Sequence, residues 1–404
     1  MKSLLIKIFN TISSLKLTIV CLSAAMVLVF AGTLAQVQLG IQIVQEQYFQ
    51  SLVVWWPVGV GDAAKFPVFP GGHLIGGVLL LNLIAAHIRR FRWRWDKAGI
   101  QLTHAGLIIM LAGGVMTDLF SVESHMRIKE GETKNYSEEI DAVELAVVDS
   151  SNPKFDQVTA IPSDNLKEGE LIMHDSLPFQ FLVKKVYANS RLKDLGAAEM
   201  ASMAACSQGL GKRVAISKQP ITTKPNERNM MSAVIEIIPG PNAETENKAS
   251  LGSWVVSDGL AGVQNVELDG KKWSFSLRPR RHYKPFSLKL HDFVHERYPG
   301  TQIPKNFSSR VTLADTDGSP SREVLIYMNH PLRYGGETFY QSGFERDEET
   351  TVLQVIRNPS VAAPYVACIV VGLGLLIQFS MHLVKFSRRA SKAPAGTTPQ
   401  ATKS

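Results

Sequence analysis

The chain has 404 residues, a formal net charge of +7 and a hydrophobic content of 45%, so it is long enough for more than one folding unit. Its three cysteines are too few for a disulfide framework, and it has no CxxC or CxxCH motif, which excludes a thiol oxidoreductase and a c-type cytochrome. The basic charge is not spread as in a nucleic-acid-binding protein, because residues 121–357 hold 29 Lys and Arg against 32 Asp and Glu.

Four stretches of the chain are nearly free of charge. Each is close to the ~20 residues that a helix needs to cross a bilayer. They cover residues 17–37, 71–88, 100–117 and 362–384. The sequence therefore predicts an α+β membrane protein with four transmembrane helices and one large extracytoplasmic domain.

The spans divide the chain into four parts. We expect a membrane region with three helices at 1–120, an extracytoplasmic β-rich domain at 121–361, the fourth transmembrane helix at 362–384, and a disordered cytoplasmic tail at 385–404. The tail is rich in Ser, Thr, Pro, Ala and Lys, a composition typical of disorder.

Basic residues cluster beside the spans. They include Lys7 and Lys16 before the first span, Arg89, Arg90, Arg92, Arg94 and Lys97 between the second and third, and Lys385, Arg388 and Arg389 after the fourth. The segment 89–97 is the basic link. Under the positive-inside rule, both termini and this link lie in the cytoplasm, and the first loop and the β-rich domain lie on the outer side of the membrane.

The first extracytoplasmic loop, 37–70, contains Trp55, Trp56 and Phe66 and little charge. Aromatic residues near the end of a span usually anchor it at the membrane interface. The alternative is a lip that covers an apolar ligand beside the second span.

From residue 142 onward, apolar and polar residues alternate as they do in half-buried strands. Asp269-Gly270 predicts a two-residue hairpin, and Asp317-Gly318 predicts another turn. The segment 191–211 is the exception and favours a helix or a mobile insertion. These patterns predict a mostly antiparallel, sandwich-like β-domain.

Histidines in the spans are candidate functional residues, because polar side chains are costly there. His87 ends the second span and His104 begins the third at a similar depth, whereas His73 lies 14 residues before His87, about 21 Å away along a helix. A pair of imidazoles is a natural set of axial ligands for haem iron. The alternative is that such histidines lie at the level of the lipid headgroups. Asn82, in the middle of a span, needs a polar partner on a neighbouring helix.

Two basic segments have alternative interpretations. Arg89 and Arg90 can contact an acidic group such as a haem propionate or a lipid phosphate, or can only fix the orientation of the protein. The run RPRRHYK at 278–284 favours a solvated strand end. His291 and His295 are four apart, but their flanking sequence favours a strand, and an i, i+4 zinc pair needs a helix.

Several phrases resemble the ResB family, also called CcsB, of cytochrome c maturation. They are SSLKLTIVCL, NLIAAHIRRF, THAGLIIMLAGGVMTD, HMRIKEGET, PFSLKLHDFVHERYPGT and MNHPLRYGGETFYQSGF. The last phrase, at 328–344, is the most distinctive, because it is long and unusual. The resemblance covers nearly the whole chain, with three spans, a β-domain and a last span.

The resemblance implies a subunit of the system II cytochrome c synthetase that works with a CcsA-type membrane protein carrying a tryptophan-rich segment. Haem b would move to the outer face and be joined there to the CxxCH cysteines of an apocytochrome c. The haem-ligating histidine of the family matches His87, and its mate would come from the partner protein, with His104 as the secondary candidate in this chain. The subunit is expected to be accessory rather than catalytic, and nothing indicates nucleic-acid binding. The rival function is a membrane-anchored binding or sensor module without haem.

Overall fold

The computed structural model describes residues 2–56, 65–91, 94–153, 155–195, 206–222, 228–244, 249–260, 262–301, 304–316, 320–345, 347 and 349–390. The chain divides into two compact units. The helical unit comprises Met1–Ser121 and Asn358–Ser404, and the β-unit comprises Val122–Arg357.

The helical unit contains six α-helices and one small hairpin among its described residues. The helices are α1 (Lys2–Ile12), α2 (Leu15–Leu39), α3 (Ile41–Val44), α4 (Gly72–Arg90), α5 (Ala98–Phe120) and α6 (Ala363–Ala390), and the hairpin consists of β1 (Val53–Trp56) and β2 (Phe66–Pro70). A π-helical turn, Gln45–Phe49, follows α3. Four helices (α2, α4, α5 and α6) are long and apolar enough to cross a membrane. The four predicted spans are confirmed, and the chain is a multi-pass membrane protein.

Helix α6 extends beyond its predicted end. It continues as a helix to Ala390, so the first residues of the predicted tail are helical rather than disordered. Residues 391–404 of that tail lie outside the described residues.

Helices α5 and α6 pack along a row of small residues. Gly99, Gly106 and Gly113 of α5 are buried and recur every seven residues, so they lie on one face of the helix. A methyl group on Gly106 would come within 2.6 Å of Val371 and 3.0 Å of the Ala367 carbonyl oxygen of α6. Side chains of this size let two membrane helices approach closely enough for backbone contact.

The chain passes twice between the two units, and within each unit the residues next to these two crossings contact each other. In the helical unit, the Thr117 hydroxyl lies 2.7 Å from the Ser360 hydroxyl, and Ser360 donates to the Gly113 carbonyl at 3.0 Å. In the β-unit, the first residue, Val122, is paired with the last, Arg357.

The β-unit consists almost entirely of antiparallel strands. They are β3 (Val122–Lys129), β4 (Thr133–Asp149), β5 (Gln157–Pro162), β6 (Leu171–Ile172), β7 (Phe179–Tyr187), β8 (Ser190–Asp194), β9 (Val214–Lys218), β10 (Ser232–Pro239), β11 (Ser253–Ser257), β12 (Gln264–Leu268), β13 (Lys271–Arg297), β14 (Pro304–Asp315), β15 (Arg322–Tyr327), β16 (Leu332–Tyr334), β17 (Glu337–Phe344) and β18 (Thr350–Arg357). The predicted antiparallel β-domain is confirmed.

The strands form one large and one smaller sheet, with a separate β8–β9 hairpin. The large sheet has the order β15-β14-β13-β4-β3-β18-β17-β16, with β12 also on β13 and β5 also on β4, and the smaller has the order β11-β10-β7-β6. The smaller sheet packs on β4, β5, β12 and the first part of β13 around Phe181, Ile235 and Phe275. This half is sandwich-like.

The second hydrophobic core lies at the other end of β13. It joins β3, the last part of β13, β14, β15, β17 and β18 around Leu288, Leu290 and Phe339. Strand β15 contacts β17, so this end of the large sheet curves back toward itself. The long strand β13 therefore contributes to both cores.

Three local predictions in the β-unit have different outcomes. Asp269 and Gly270 have positive φ angles of 51° and 71° in the hairpin between β12 and β13, which confirms that turn. The turn at 317–318 lies outside the described residues. The segment 191–211 was expected to be a helix or an insertion, but residues 191–194 pair with β9; residues 196–205 lie outside the described residues.

The prediction of a solvated strand end at 278–284 is wrong. This run lies in the middle of β13, where its arginines pair with acidic side chains of the neighbouring strand β4. Arg278 Nε lies 3.1 Å from Glu144 Oε1, and Arg281 Nε lies 3.0 Å from Glu138 Oε1. The charges are neutralised across the sheet rather than by solvent.

Lys284 is the most buried of these basic residues. Its side chain is 2% exposed, and its Nζ lies 2.6 Å from Oε2 of Glu337, whose side chain is 15% exposed. Removing one member of a buried ion pair leaves the other charge without its counter-charge, and this costs more than the pair itself contributes.

We therefore expect Lys284→Met to lower the free energy of unfolding of the full chain by about 3 kcal/mol. The double variant Lys284→Met with Glu337→Leu should recover most of that loss. Lys129→Met is the matched control, because the Lys129–Glu349 pair is 3.0 Å long but 56% exposed on both sides, so its loss should lower the free energy of unfolding far less. Denaturant unfolding followed by circular dichroism measures all three, and equal losses for the two single variants would contradict the role of burial.

The close packing of α5 on α6 predicts that substitutions at two glycines of α5 differ in their effect on stability. Gly106→Val should push α5 away from α6 and destabilise the protein by about 1–3 kcal/mol, as overpacking does. Gly114→Val is the matched control, because it makes the same change on the same helix where a new Cβ meets nothing within 4 Å. The melting temperature of the detergent-purified protein should fall for the first variant only; the same fall in both would show that α5 and α6 do not approach along this face.

Candidate functional site

His87 lies in the last turn of α4, where the apolar run of the helix gives way to Arg89 and Arg90. Its ring is partly buried and lies 5.7 Å from the ring of Phe91 and 6.3 Å from the ring of His104, measured between ring centres. Within the described part of the chain, no group donates a hydrogen bond to this imidazole or accepts one from it. The ring therefore retains a nitrogen that can bind a ligand.

His104 lies in the second turn of α5, beside His87. Its Nδ1 lies 2.8 Å from the carbonyl oxygen of Ile100. A carbonyl oxygen can only accept, so Nδ1 carries the hydrogen and Nε2 keeps its lone pair in the neutral imidazole. A backbone contact of this kind also fixes the orientation of a metal-ligating histidine.

A cavity of about 320 Å³ opens between the end of α4 and the start of α5. Its walls are mainly apolar, with three polar side chains among them. The lining residues are His87, Phe91, Arg94, Trp95, Ala98, Gln101, Leu102 and Ala105. The residues at 98, 101, 102 and 105 share one face of α5, because they follow the helical repeat. Sequence reasoning selected His87 and missed Arg94.

Arg94 projects from the basic link into this lining. Its Nε and Nη2 donate to the two carboxylate oxygens of Asp96 at 2.9 and 3.1 Å. This two-point contact holds the guanidinium in one orientation. The five-donor guanidinium keeps further N–H groups that a second anion can use.

Asn82 is buried in the middle of α4 and joins it to the corner between α1 and α2. Its Nδ2 donates to the carbonyl oxygens of Ile12 and Ser14, and its Oδ1 accepts from the Thr18 hydroxyl at 2.6 Å. The predicted partner on a neighbouring helix is confirmed. The amide thereby satisfies carbonyl groups where the backbone changes direction.

Arg89 strengthens the same corner. Its Nη1 donates to the Ser13 hydroxyl at 2.9 Å, and Ser13 is completely buried. Arg90 is exposed at the end of α4. Neither arginine lines the cavity that His87 lines.

The other two histidines of the membrane helices, His73 and His382, contact different side chains. His73, in the first turn of α4, has Nε2 2.8 Å from Asp118 Oδ2, and Asp118 also accepts from Gln50 at 3.2 Å. His382, on α6, lies 2.8 Å from the side-chain nitrogen of Gln378. His73 therefore joins the other ends of α4 and α5, as its distance along the helix predicts.

The loop before α4 forms the β1–β2 hairpin, and Trp55 and Trp56 on it are largely exposed. Residues 57–64 of this loop lie outside the described residues. A cavity of about 490 Å³ is lined by Trp55, Lys65 and residues of the π-helical turn. Anchor and lip remain alternative interpretations of this loop.

Histidines in the β-unit contact neighbouring strands. His282 Nε2 lies 2.6 Å from Glu139 Oε1, and His291 Nε2 lies 2.6 Å from the Thr312 hydroxyl. His291 and His295 both lie in β13, so the spacing of four is not helical. In the described part of the chain, no three His, Cys, Asp or Glu side chains form a group that could hold a metal ion.

Burial raises the pKa values of two acidic side chains of the β-unit, Cys206 and Asp258. Desolvation by burial raises the pKa of the Cys206 thiol, whose Sγ donates to the Gln208 carbonyl at 3.0 Å. Desolvation also raises the pKa of Asp258, although Arg228, at 2.6 Å, acts in the opposite direction. Burial is the main cause of both upward shifts.

The distinctive motif at 328–344 forms two consecutive turns. Asn329 has a positive φ of 64° between β15 and β16, and Gly335 and Gly336, with φ of 59° and 76°, connect β16 to β17. A Cβ on Gly335 would come within 2.8 Å of the Phe286 ring. Asparagine and glycine tolerate this backbone conformation better than other residues, so the shape of the fold explains these three positions.

The second part of the motif supports a β-bulge. The register of β17 on β18 shifts between Gln341 and Gly343. Gln341 spans the bulge by donating to the Gly343 carbonyl at 3.1 Å, and its Oε1 accepts from the buried Ser309 hydroxyl at 2.6 Å. The motif thus specifies turns and a buried polar network.

Residues 251–351 match the model of the ResB-like family, about one quarter of the 404 residues. The matched stretch lies in the β-unit and includes the basic residues of β13 and the whole of the 328–344 motif. It does not include α4 or α5.

The similar proteins carry the names NrfI or cytochrome c biogenesis protein. The chain is 35% identical over 113 residues to Protein NrfI of Wolinella succinogenes, a match that covers 28% of this chain and 12% of that protein. It is 34% identical over 77 residues to cytochrome c biogenesis protein CcsB of Synechococcus sp. (strain RCC307), covering 19% of this chain and 17% of that one. It is 32% identical over 91 residues to cytochrome c biogenesis protein Ccs1 of Pyropia yezoensis, covering 22% and 19%.

The chain thus matches less than a fifth of the length of each of these relatives. The predicted resemblance is nevertheless confirmed by both kinds of comparison. Over residues 251–351 the chain is thus similar to the ResB-like family, and the relatives it matches include proteins named CcsB, Ccs1 and NrfI.

Proposed function

We propose that the chain is a subunit of the system II cytochrome c synthetase, which binds haem b in the membrane and helps deliver it to the outer face for attachment to apocytochrome c. One observation carries the proposal. The partly buried imidazole of His87, which has no hydrogen-bonding partner among the described residues, lines an apolar cavity at the end of a membrane helix. The names of the CcsB and Ccs1 relatives favour the same process.

The donor set of this cavity fits haem as a transported substrate. A histidine nitrogen is a common axial ligand of haem iron, and coordination would offset the cost of burying a polar ring among apolar side chains. The volume of about 320 Å³ is near the lower end of the range for ligand pockets. We therefore expect part of the porphyrin to be covered by a second protein.

The cations near the cavity favour Arg94 as the propionate contact. Arg89 donates to Ser13, and Arg90 is exposed beyond the end of α4, whereas Arg94 lines the cavity and is held in place by Asp96. A guanidinium fixed in this way suits a carboxylate, because it can offer two parallel N–H donors. Arg94 replaces Arg89 and Arg90 as the preferred candidate.

The partners follow from the family. A CcsA-type protein with a tryptophan-rich segment would complete the haem path, and an apocytochrome c with a CxxCH motif would accept the haem. We assign the thioether chemistry to the complex and an accessory, haem-binding role to this chain. The β-unit would hold the partner proteins near the site of attachment.

The orientation of the protein in a bacterial inner membrane is part of the proposal. The basic link and both termini would face the cytoplasm, and the β-unit would face the periplasm, because the basic residues cluster on one side of the spans. Haem would then bind at the cytoplasmic edge of α4.

Reporter fusions measure this orientation. Alkaline phosphatase fused after Ser121 should be active and fused after Lys97 should be inactive, because the enzyme folds only outside the cytoplasm. Green fluorescent protein should give the opposite pattern at the same two positions. A reversal of both patterns would overturn the assigned orientation.

An absorption spectrum tests whether the protein binds haem. The chain is co-expressed with its CcsA-type partner, the complex is purified, and its reduced spectrum is recorded. We expect a Soret band, and His87→Ala should lower both bound haem and the yield of cytochrome c, with partial rescue by imidazole. His382→Ala is the matched control, because it removes a histidine from another membrane helix that does not line the cavity.

The alternatives have distinct outcomes. Wild-type haem content in the His87→Ala complex would remove this residue from the site. A complex without a Soret band above background would refute haem binding and favour a binding or sensor module.

A further inference from the structure

The first helix, α1, carries apolar side chains on one face and polar side chains on the other. Its 11 residues follow the helical repeat closely enough to separate the two kinds. The apolar face consists of Leu4, Leu5, Ile8, Phe9 and Ile12, and the polar face consists of Ser3, Lys7, Asn10 and Thr11. A helix of this kind suits a boundary between an apolar and an aqueous phase.

The apolar face of α1 is largely uncovered in the described part of the chain. Leu4 and Leu5 are 61% and 59% exposed, and Phe9, nearer the corner with α2, is still 39% exposed. A helix of this length extends about 16 Å, which is too short to cross a bilayer. The exposed face therefore cannot be explained as the lipid-facing side of a transmembrane helix.

The contacts of α1 set its depth in the membrane. Ser14 has an extended backbone, with φ −83° and ψ 142°, so α1 ends at a corner before α2 begins. Asn82 donates to the carbonyl oxygens of Ile12 and Ser14 at this corner, and it lies eight residues before Arg90, the last residue of α4. Eight residues extend about 12 Å along a helix. This depth is close to the ~5–10 Å at which amphipathic helices bury their apolar face at the boundary of headgroups and acyl chains.

Three basic side chains on this side of the spans have no acidic partner within the ranges that the structure describes. They are Lys7, Lys16 and Arg90, and all three are exposed. The first acidic residue of the chain is Glu46, which lies in the π-helical turn beyond the other end of α2. Unpaired cations beside an apolar face favour a negatively charged lipid surface.

We propose that α1 lies in the plane of the membrane, on the side of the basic link, and binds acidic phospholipids. Its apolar face lies among the acyl chains, and Lys7, Lys16 and Arg90 lie at the level of the phosphate groups. The competing occupant of the apolar face is a second protein, but the depth of the corner and the unpaired cations favour lipid. Because Asn82 connects the corner to α4, lipid bound at α1 also stabilises the end of α4.

The first experiment measures the depth of α1. The full chain, with its three cysteines replaced by alanine, is reconstituted in lipid nanodiscs with a nitroxide spin label on one new cysteine. Leu5→Cys and Phe9→Cys place the label on the apolar face, and Ser3→Cys and Asn10→Cys are the matched controls on the polar face. The first two labels should collide mainly with oxygen, which dissolves among acyl chains, and the other two with a water-soluble nickel chelate.

Two results of this experiment would overturn the proposal. Access of all four labels to the nickel chelate would place α1 in water. Shielding of the labels at positions 5 and 9 from both reagents would show that protein, rather than lipid, covers the apolar face.

The second experiment tests the charge of the lipid. The melting temperature of the full chain is compared in nanodiscs of phosphatidylcholine with and without phosphatidylglycerol. The acidic lipid should raise the melting temperature of the wild type, because a ligand stabilises the state that binds it. The double variant Lys7→Gln with Lys16→Gln should lose most of this gain. Lys167→Gln with Lys218→Gln is the matched control, because it removes two exposed lysines from the β-unit.

Added salt should reduce the gain of the wild type, because ions screen the attraction between lysine and phosphate. An equal gain in both double variants would overturn the binding of acidic lipid at Lys7 and Lys16. Neither experiment measures haem, so the proposed function can fail while this inference holds, and the reverse.

Discussion

The helical unit depends on one buried amide. Asn82 lies in an apolar helix, where an unsatisfied amide would be costly because no water can reach it. Its hydrogen bonds with Ile12, Ser14 and Thr18 remove that cost and connect α4 to the corner between α1 and α2. Arg89 adds a contact to Ser13 from the same helix. His87 lies between Asn82 and Arg89 in sequence, so the end of α4 that carries it is fixed on both sides.

The segment that matches the family model and the candidate haem residues lie in different units. The ResB-like match covers residues 251–351, where Asn329, Gly335 and Gln341 serve turns, a bulge and a buried network. These residues explain how the β-unit folds. The chemistry proposed for the protein depends instead on α4 and α5, which lie outside that match. The family resemblance and the proposed haem binding therefore rest on separate observations.

Composition was sufficient to predict the membrane helices, and alternation was sufficient to predict the antiparallel strands, because both signals are local. The pairing of Asp269 with Gly270 in a hairpin is local as well. The burial of residues 278–284 could not be predicted from the sequence of that segment alone. It depends on Glu138 and Glu144 in a strand more than a hundred residues earlier. A periodic search would have found Gly99, Gly106 and Gly113, but their partner helix follows the whole β-unit.

The candidate site was partly predictable for the same reason. The end of one span and the start of the next place His87 and His104 at a similar depth, and the structure brings their rings together. Which arginine lines the cavity depends on the path of the link. Arg89 donates a hydrogen bond to Ser13, which lies between α1 and α2, far away in the sequence. Arg94 instead contacts Asp96, only two residues away.

The pairing of Val122 with Arg357 and the contact of Thr117 with Ser360 give the β-unit the character of an insertion. Its first and last residues are neighbours within one sheet, and the helices that flank it in sequence are joined at Thr117 and Ser360. Domains whose termini are adjacent can be gained or exchanged without separating the elements that flank them. A change in the domain between α5 and α6 is therefore compatible with an unchanged arrangement of the membrane helices.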